Sequence, residues 1–284
     1  MQKVLVTGIT GFVGSHMVDY LLENVKDVQI YAIRRWRSKD DNIKHLYGND
    51  KVRFIEADLT DRGSLYRAIE MSKPDIVYHF AAQSFPETSF LTPVMTLNTN
   101  VLGTTNLMEE LKTAKEREAC DPVIVSVSSS EVYGNPTKDE IPITEANTIR
   151  AANPYSISKV GHDLMSQYYH KAYGFIRHGN LDSVRTYNHI DDAVRAYWLA
   201  VDKCEPGEVY NIGGDYTCTV GDALDMLISK SNVKDKLKKL LDKDRVRPTD
   251  ITLQVPDSTK FRNKTGWKPT KGLEKICEDL LNYW

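Results

Sequence analysis

The sequence predicts an α/β fold, a doubly wound parallel sheet with a smaller C-terminal region. Three observations carry that prediction. Short Val- and Ile-rich runs alternate with longer amphipathic stretches over the first half of the chain. The runs are continuously apolar, as strands covered on both faces must be. A glycine-rich turn at Gly8, Gly11 and Gly14 joins the first run to the first amphipathic stretch.

In chain order, strands are expected at "KVLVTG" (Lys3–Gly8), "VQIYAI" (Val28–Ile33), "VRFIEAD" (Val52–Asp58), "DIVYHFA" (Asp75–Ala81) and "PVIVSVS" (Pro122–Ser128). Helices are expected at "SHMVDYLLEN" from Ser15, "RGSLYRAIEM" from Arg62 and "NVLGTTNLMEELKTAKE" from Asn100. Strand and helix in alternation indicate crossover connections and hence a parallel sheet. After about Gly174 the rhythm changes. Helices are expected over Asp191–Lys203, over Thr219–Ser231 with Thr219 as cap, and at the closing "GLEKICEDLLNYW". "GEVYNIGG" (Gly207–Gly214) reads as a short strand ending in a glycine turn. No repeat or low-complexity linker interrupts the chain, so the boundary near residue 175 joins two regions built onto each other.

Composition narrows the function classes. The 284 residues are 41% hydrophobic and 27% charged, ordinary values for a chain with a core. A net charge of −2 leaves no dominant basic face, which argues against nucleic acid. The densest basic stretch, "KDKLKKLLDKDRVR" from Lys234, alternates with acids and leucines and reads as a solvated helix face. The four cysteines are far apart, with no Cys-x-x-Cys pair, so neither a metal site nor a disulfide framework is expected. No run reaches the length of a membrane span, and the first strand starts too early for a signal peptide. The expectation is a cytoplasmic protein with no membrane partner.

The glycine turn is the first chemical signal. Glycines at a strand–helix junction let the backbone approach a pyrophosphate, and the helix N-terminus offers amide donors to it. The spacing here is G-x-x-G-x-x-G. A ribose-binding carboxylate belongs at the end of the second strand in NAD-binding versions, but "IYAIRRWR" places Arg34 and Arg35 there. Guanidinium groups pair with a 2′-phosphate, so NADP is expected over NAD. Asp58, closing "FIEAD", is placed to accept from an adenine amino group, or to serve as a turn residue.

"NPYSISK" supplies the second signal. Tyr155 and Lys159 are four residues apart and share a helix face. An ammonium beside a phenol stabilises the phenolate and brings it toward its working range. The serines ending the fifth strand, "VSVSSSEVYG", lie where strand ends converge on a ligand crevice.

Together "TGITGFVGS", "HFAAQS", "NTNVLGT", "SSSEVYG" and "PYSISK" resemble the extended short-chain dehydrogenase/reductase family, with its Rossmann-like fold. Within it, the chain is most similar to GDP-mannose 4,6-dehydratases, whose S-T-S-E-L-Y-G corresponds to "SSSEVYG". "GNLDSVR", "AYWLA", "RPTDI" and "TGWKP" extend the likeness toward the C-terminus. The resemblance implies a catalytic set of Ser129, Tyr155 and Lys159, with Glu131 as the base that takes the C5 proton. It implies a cycle of oxidation at C4, loss of water across C5–C6 and reduction at C6. It places Phe12, Val13, Leu59, Ala81 and Ala82 beside the cofactor with the glycines, and Ser84, Ser130, Asn180, Arg185, Arg247 and Asp250 on the substrate. Ser128 reads as structural. Residues 1–175 then form the dinucleotide-binding domain and 176–284 the main nucleotide-sugar region. A GDP-linked substrate and a homodimer or homotetramer follow from the same likeness. A reductase of the 4-keto product, or an epimerase, shares the scaffold.

One departure stands out. "KAYGFIRHGNLDSVR" joins the tyrosine helix almost directly to a segment that relatives reach only after a sixth strand and a base-binding loop. Either the sequence skips residues here, or the protein lacks them and only binds nucleotides. Omission is favoured, because a doubly wound sheet deprived of an inner strand should fold poorly. An intact mass well above 32.3 kDa would show it.

Overall fold

The computed structural model describes residues 1–173, 186–231 and 254–283. The elements run β1 (Gln2–Thr7), α1 (Phe12–Asn24), β2 (Val28–Arg34), β3 (Val52–Glu56), α2 (Arg62–Ser72), β4 (Ile76–His79), α3 (Pro86–Leu91), α4 (Pro93–Leu97), α5 (Gly103–Glu116), β5 (Val123–Ser126) and α6 (Pro154–Tyr173). They continue as β6 (Thr186–Tyr187), α7 (Ile190–Lys203), β7 (Tyr216–Thr217), α8 (Val220–Lys230), α9 (Thr259–Thr265) and α10 (Leu273–Tyr283). The five expected strands of the first half are all present. They form one parallel sheet in the order β3-β2-β1-β4-β5.

Alternation along each strand divides the core into two layers. Val4, Val6, Ile30, Ala32, Tyr78 and Val125 point to the side of Met17, Val18 and Leu21 of α1, where Ala193, Ala196 and Tyr197 of α7 join them. Leu5, Tyr31, Ile33, Val77 and Ile124 point to the other side. They meet Leu65 and Ile69 of α2, Leu107, Met108 and Leu111 of α5, and Tyr169 of α6. Both faces of the sheet are therefore covered, which is why the strands are apolar throughout.

The register aligns the strand ends. Thr7 lies beside His79, and His79 beside Ser126. These three C-terminal ends open on the crevice where ligands of such sheets bind.

Asp192 of α7, the helix whose Ala193, Ala196 and Tyr197 pack against the sheet, anchors the segment 267–271. Its carboxylate accepts from Thr270 N and Oγ1, both at 2.8 Å, and from Lys271 N at 3.0 Å. Its carbonyl receives the indole N–H of fully buried Trp267 at 2.9 Å. Thr219 caps α8 in a reciprocal box with Asp222, as its position predicts.

Two expectations are corrected. Helix α1 begins at Phe12 rather than Ser15, because Gly11 already occupies the N-cap position. The segment Gly207–Gly214 is irregular, although Tyr210 and Ile212 are buried in the core. β5 is the sheet edge among the described residues, and this segment does not pair with it. Its amides turn to side chains instead: Asn211 N to Glu145, and Gly213 N to Ser258 Oγ at 2.7 Å. The basic stretch from Lys234 lies outside the described residues.

Candidate active site

A cavity of about 1310 Å³ runs across the C-terminal ends of the strands. Gly8, Gly11, Phe12, Val13 and Gly14 line it from the β1–α1 turn, Arg34 and Arg35 from the end of β2, and Asp58 and Leu59 from the end of β3. Ala81, Ala82 and Ser84 follow from β4, Val127 and Ser128 from β5, and Tyr155 and Lys159 from α6. The far wall comes from residues 186–191 and from Ile276, Asp279 and Leu280 of α10. Every residue assigned to the cofactor from sequence thus reaches one cavity.

The glycine turn is tight for a reason that can be stated in distances. Gly8 has φ +75, and a Cβ there would lie 2.7 Å from Ala81 N. A Cβ at Gly14 would lie 2.3 Å from Gly8 O. No side chain caps α1 and no acid sits in its first turn, so its leading amides remain available to an anion.

At the β2 end, the Arg34 guanidinium is held in place. Nη1 donates to Tyr47 Oη at 2.7 Å, and the group lies 5.7 and 5.5 Å from the ring centroids of Tyr47 and Phe54. Arg34 Nε is buried without a partner. Neither Arg34 nor Arg35 pairs with a carboxylate among the described residues. Asp58 lines the cavity while its Oδ1 accepts from Thr60 N at 2.9 Å and Thr60 Oγ1 at 2.8 Å. It is therefore both a turn residue and a wall residue.

Tyr155 is placed by a buried lattice of polar groups. Its backbone N donates to Ser89 Oγ at 3.1 Å. Its carbonyl accepts from Ser158 Oγ at 2.6 Å, and Ser158 Oγ accepts from Asn100 Nδ2 at 2.8 Å. Asn100, fully buried, also exchanges hydrogen bonds with the backbone of Gln83 on the cavity wall. Lys159 Nζ donates to Val127 O at 2.8 Å, which ties α6 to the end of β5.

A second chain of groups braces the strand ends from beneath. Thr104 Oγ1 donates to Asn100 O at 2.7 Å, so it accepts from both His79 Nε2 and His162 Nδ1, each at 2.9 Å. His79 Nδ1 then accepts from Thr7 Oγ1 at 2.8 Å, while Thr7 Oγ1 receives Ala81 N at 3.1 Å. The two imidazoles stack at 5.2 Å. Burial, followed by the Lys159 charge, pushes His79 down to about 3. The unfolded imidazole takes its proton near 6.5, so between these values the unfolded state binds more protons. Stability is therefore full above pH 6.5 and falls as pH drops, by up to roughly 1.4 kcal/mol per unit. Urea unfolding at stepped pH should show that slope in the wild type and a shallower one in His79→Gln.

The serine–glutamate turn is arranged differently from the triad residues. Ser128 is at the cavity wall, with its Oγ buried and unpartnered. Ser129, Ser130 and Glu131 are buried behind that wall and do not line the cavity. Ser129 caps the 3-10 turn Ser130–Tyr133, its Oγ accepting from Glu131 N at 3.2 Å. Ser130 Oγ donates to Gln254 Oε1 at 3.1 Å. Glu131 Oε2 accepts from Asn153 Nδ2 at 2.8 Å, and Asn153 Oδ1 in turn accepts from Ser156 N at 2.8 Å at the head of α6. Asn153 escaped the sequence reading, although Asn followed by Pro at a helix start marks a cap. Asn180, Arg185, Arg247 and Asp250 lie outside the described residues. No group of three metal-ligating side chains converges among the described residues, and no helix there is long and apolar enough to cross a membrane.

The sequence profile described as GDP-mannose 4,6 dehydratase matches residues 5–177 and 175–280. The dTDP-glucose 4,6-dehydratase of Salmonella typhimurium is 25% identical over 338 residues, covering 100% of this chain and 92% of its own length. The GDP-mannose 4,6-dehydratase of Yersinia enterocolitica is 25% identical over 354 residues, covering 99% and 93%. Among solved structures, the dTDP-glucose 4,6-dehydratase of Streptomyces venezuelae, with NAD bound, superposes with a TM-score of 0.82 at 24% identity, covering 100% and 99%. Both relatives align over more positions than this chain has. The two profile blocks meet at residues 175–177, where the sequence shows its shortened connection. With 5–177 and 175–280 both matched, the chain belongs to the GDP-mannose 4,6-dehydratase family, whose members and relatives act as nucleotide-sugar 4,6-dehydratases.

Proposed function

We propose that the protein dehydrates GDP-mannose to its 4-keto-6-deoxy form with NADP as cofactor. The observation that carries the reading is a buried carboxylate, Glu131, oriented by Asn153 at the head of the helix that bears Tyr155 and Lys159. A simple alcohol dehydrogenase has no use for such a base, whereas dehydration needs one for the C5 proton. Tyr155 takes the C4 hydroxyl proton as a phenolate, the form that the Lys159 ammonium stabilises. A nicotinamide cofactor, held along the glycine turn and beside Tyr155 and Lys159, would supply the hydride acceptor and donor for the cycle. The glycine turn, the free amides of α1 and the pinned Arg34 fit its phosphates and adenosine end.

The expected reaction consumes GDP-mannose and releases water with no net change in NADPH. Incubating the protein with GDP-mannose and, separately, dTDP-glucose tests the substrate. Turnover of dTDP-glucose alone would sink the GDP assignment, and that second reading is favoured by the dTDP-glucose dehydratases among the relatives. NADPH-dependent reduction of a 4-keto sugar, without dehydration, would replace both with the reductase.

Arg34 and Arg35 support NADP over NAD. Arg35→Ala should weaken NADP⁺ binding about 10- to 100-fold, the range for one charge-assisted hydrogen bond. NAD⁺ binding should stay within about twofold. Titration calorimetry reads both, and equal losses for the two cofactors would refute the 2′-phosphate contact. Pairing with a second copy is supported by an apolar stripe on α6, where Ile157, Leu164 and Tyr168 are about half exposed on one face. Light scattering gives the solution mass that checks it.

A further inference from the structure

Ser128 is the one hydroxyl of the serine cluster at the cavity wall, and it is unspent. The residue is 5% exposed, and its Oγ is buried with no hydrogen-bond partner. Its neighbours behave otherwise: Ser129 Oγ caps the following turn and Ser130 Oγ bonds Gln254. A buried hydroxyl without a partner is costly, and such exceptions in a folded protein call for an explanation. The cavity beside it supplies one.

The order of the strands says which part of a ligand would meet Ser128. Arg34 and Arg35 stand at the end of β2, and the glycine turn at the end of β1, the next strand in the sheet. A dinucleotide with its adenosine end at β2 and its pyrophosphate at β1 has its other half over β4 and β5. Val127 N donates to His79 O at 3.4 Å, so the two strand ends are joined where Ser128 enters the wall. Lys159 Nζ holds the carbonyl of the preceding Val127, which sets the backbone that presents Ser128.

We propose that Ser128 Oγ hydrogen-bonds the nicotinamide-ribose half of the bound cofactor, and that its lack of a protein partner reserves it for that contact. The proposal rests on the nicotinamide-cofactor reading above. It assigns to Ser128 a ligand contact distinct from the part that the family resemblance gives to Ser129. No covalent step is involved.

Ser128→Ala separates this contact from a structural role in two measurements. Without ligand, the variant should melt no lower than wild type, because a methyl replaces a hydroxyl that bonds nothing. A fall of several degrees would show a protein partner and overturn the proposal. With ligand, titration calorimetry compares two probes: the whole dinucleotide, NADP⁺ or NAD⁺, whichever the wild type binds more tightly, and the matching adenosine half, 2′,5′-ADP or ADP. The variant should lose about three- to tenfold in affinity for the dinucleotide, the value of one neutral hydrogen bond. Its affinity for the adenosine half should stay within about twofold. Unchanged dinucleotide affinity, or equal losses for both probes, would overturn the proposal while leaving the cofactor reading intact. A wild type that binds neither dinucleotide would remove that reading and this inference with it.

Discussion

Tyr155→Phe should abolish the whole reaction cycle, because oxidation at C4 comes first and needs the phenol oxygen. The ring is fully buried at the head of α6, and its backbone is held by Ser89 and Ser158. Phenylalanine keeps that packing and removes only the hydroxyl. A positioned acid–base group is worth on the order of 10²–10⁴ in rate, so kcat should fall by at least about a hundredfold. Dinucleotide affinity should change little by comparison. Single-turnover absorbance of reduced nicotinamide checks the first half-reaction directly. A variant that still forms it at the wild-type rate would show that another group takes the C4 proton.

Glu131→Gln should divide the cycle in two. Glutamine is isosteric and still offers an oxygen to Asn153 Nδ2, so the link between the β5 turn and α6 survives. What disappears is the basicity needed at C5. Oxidation at C4 should proceed and reduced nicotinamide should accumulate on the enzyme, while release of water drops by about 10²- to 10⁴-fold. Exchange of the C5 hydrogen with solvent, followed by mass spectrometry, reads the same step. Exchange at the wild-type rate would assign Glu131 to structure and require a different base. The contrast between the variants is the useful part: Tyr155→Phe stops before reduced nicotinamide forms, and Glu131→Gln stops after.

The geometry also explains why the two residues take different places. Tyr155 and Lys159 reach the cavity from α6, whereas Glu131 lies in a turn behind Ser128, tied to the same helix through Asn153. Glu131 therefore sits behind the inner end of the cavity wall. There the β5 turn and the head of α6 are braced together by Lys159 on Val127.

Much of this was legible from residue order. Continuous Val and Ile runs named all five strands of the sheet, since a strand buried on both faces has no polar positions to hide it. The glycine turn, the Arg34–Arg35 pair and the Tyr155–Lys159 spacing each carry their chemistry within a few residues. Other features were not legible. "GEVYNIGG" has strand composition, yet a strand exists only beside a partner, and no ladder reaches this segment among the described residues. The Thr7–His79–Thr104–His162 chain draws on β1, β4, α5 and α6, and no local pattern announces it.

Ser128 makes the division plain. Within the run "SSSEVYG" three adjacent hydroxyls look equivalent, and their neighbours in sequence do not rank them. Sequence alone determined that the end of β5 would be polar and beside a crevice, because the strand and the motifs around it are local. Which hydroxyl caps a turn, which bonds Gln254 and which is left without a protein partner was decided by packing. Those partners are Glu131, next but one in sequence, and a residue more than a hundred positions away, while the cavity beside Ser128 is lined from both halves of the chain. Hydrogen-bond satisfaction is settled in three dimensions, so only the folded chain could show which hydroxyl remains unpaired.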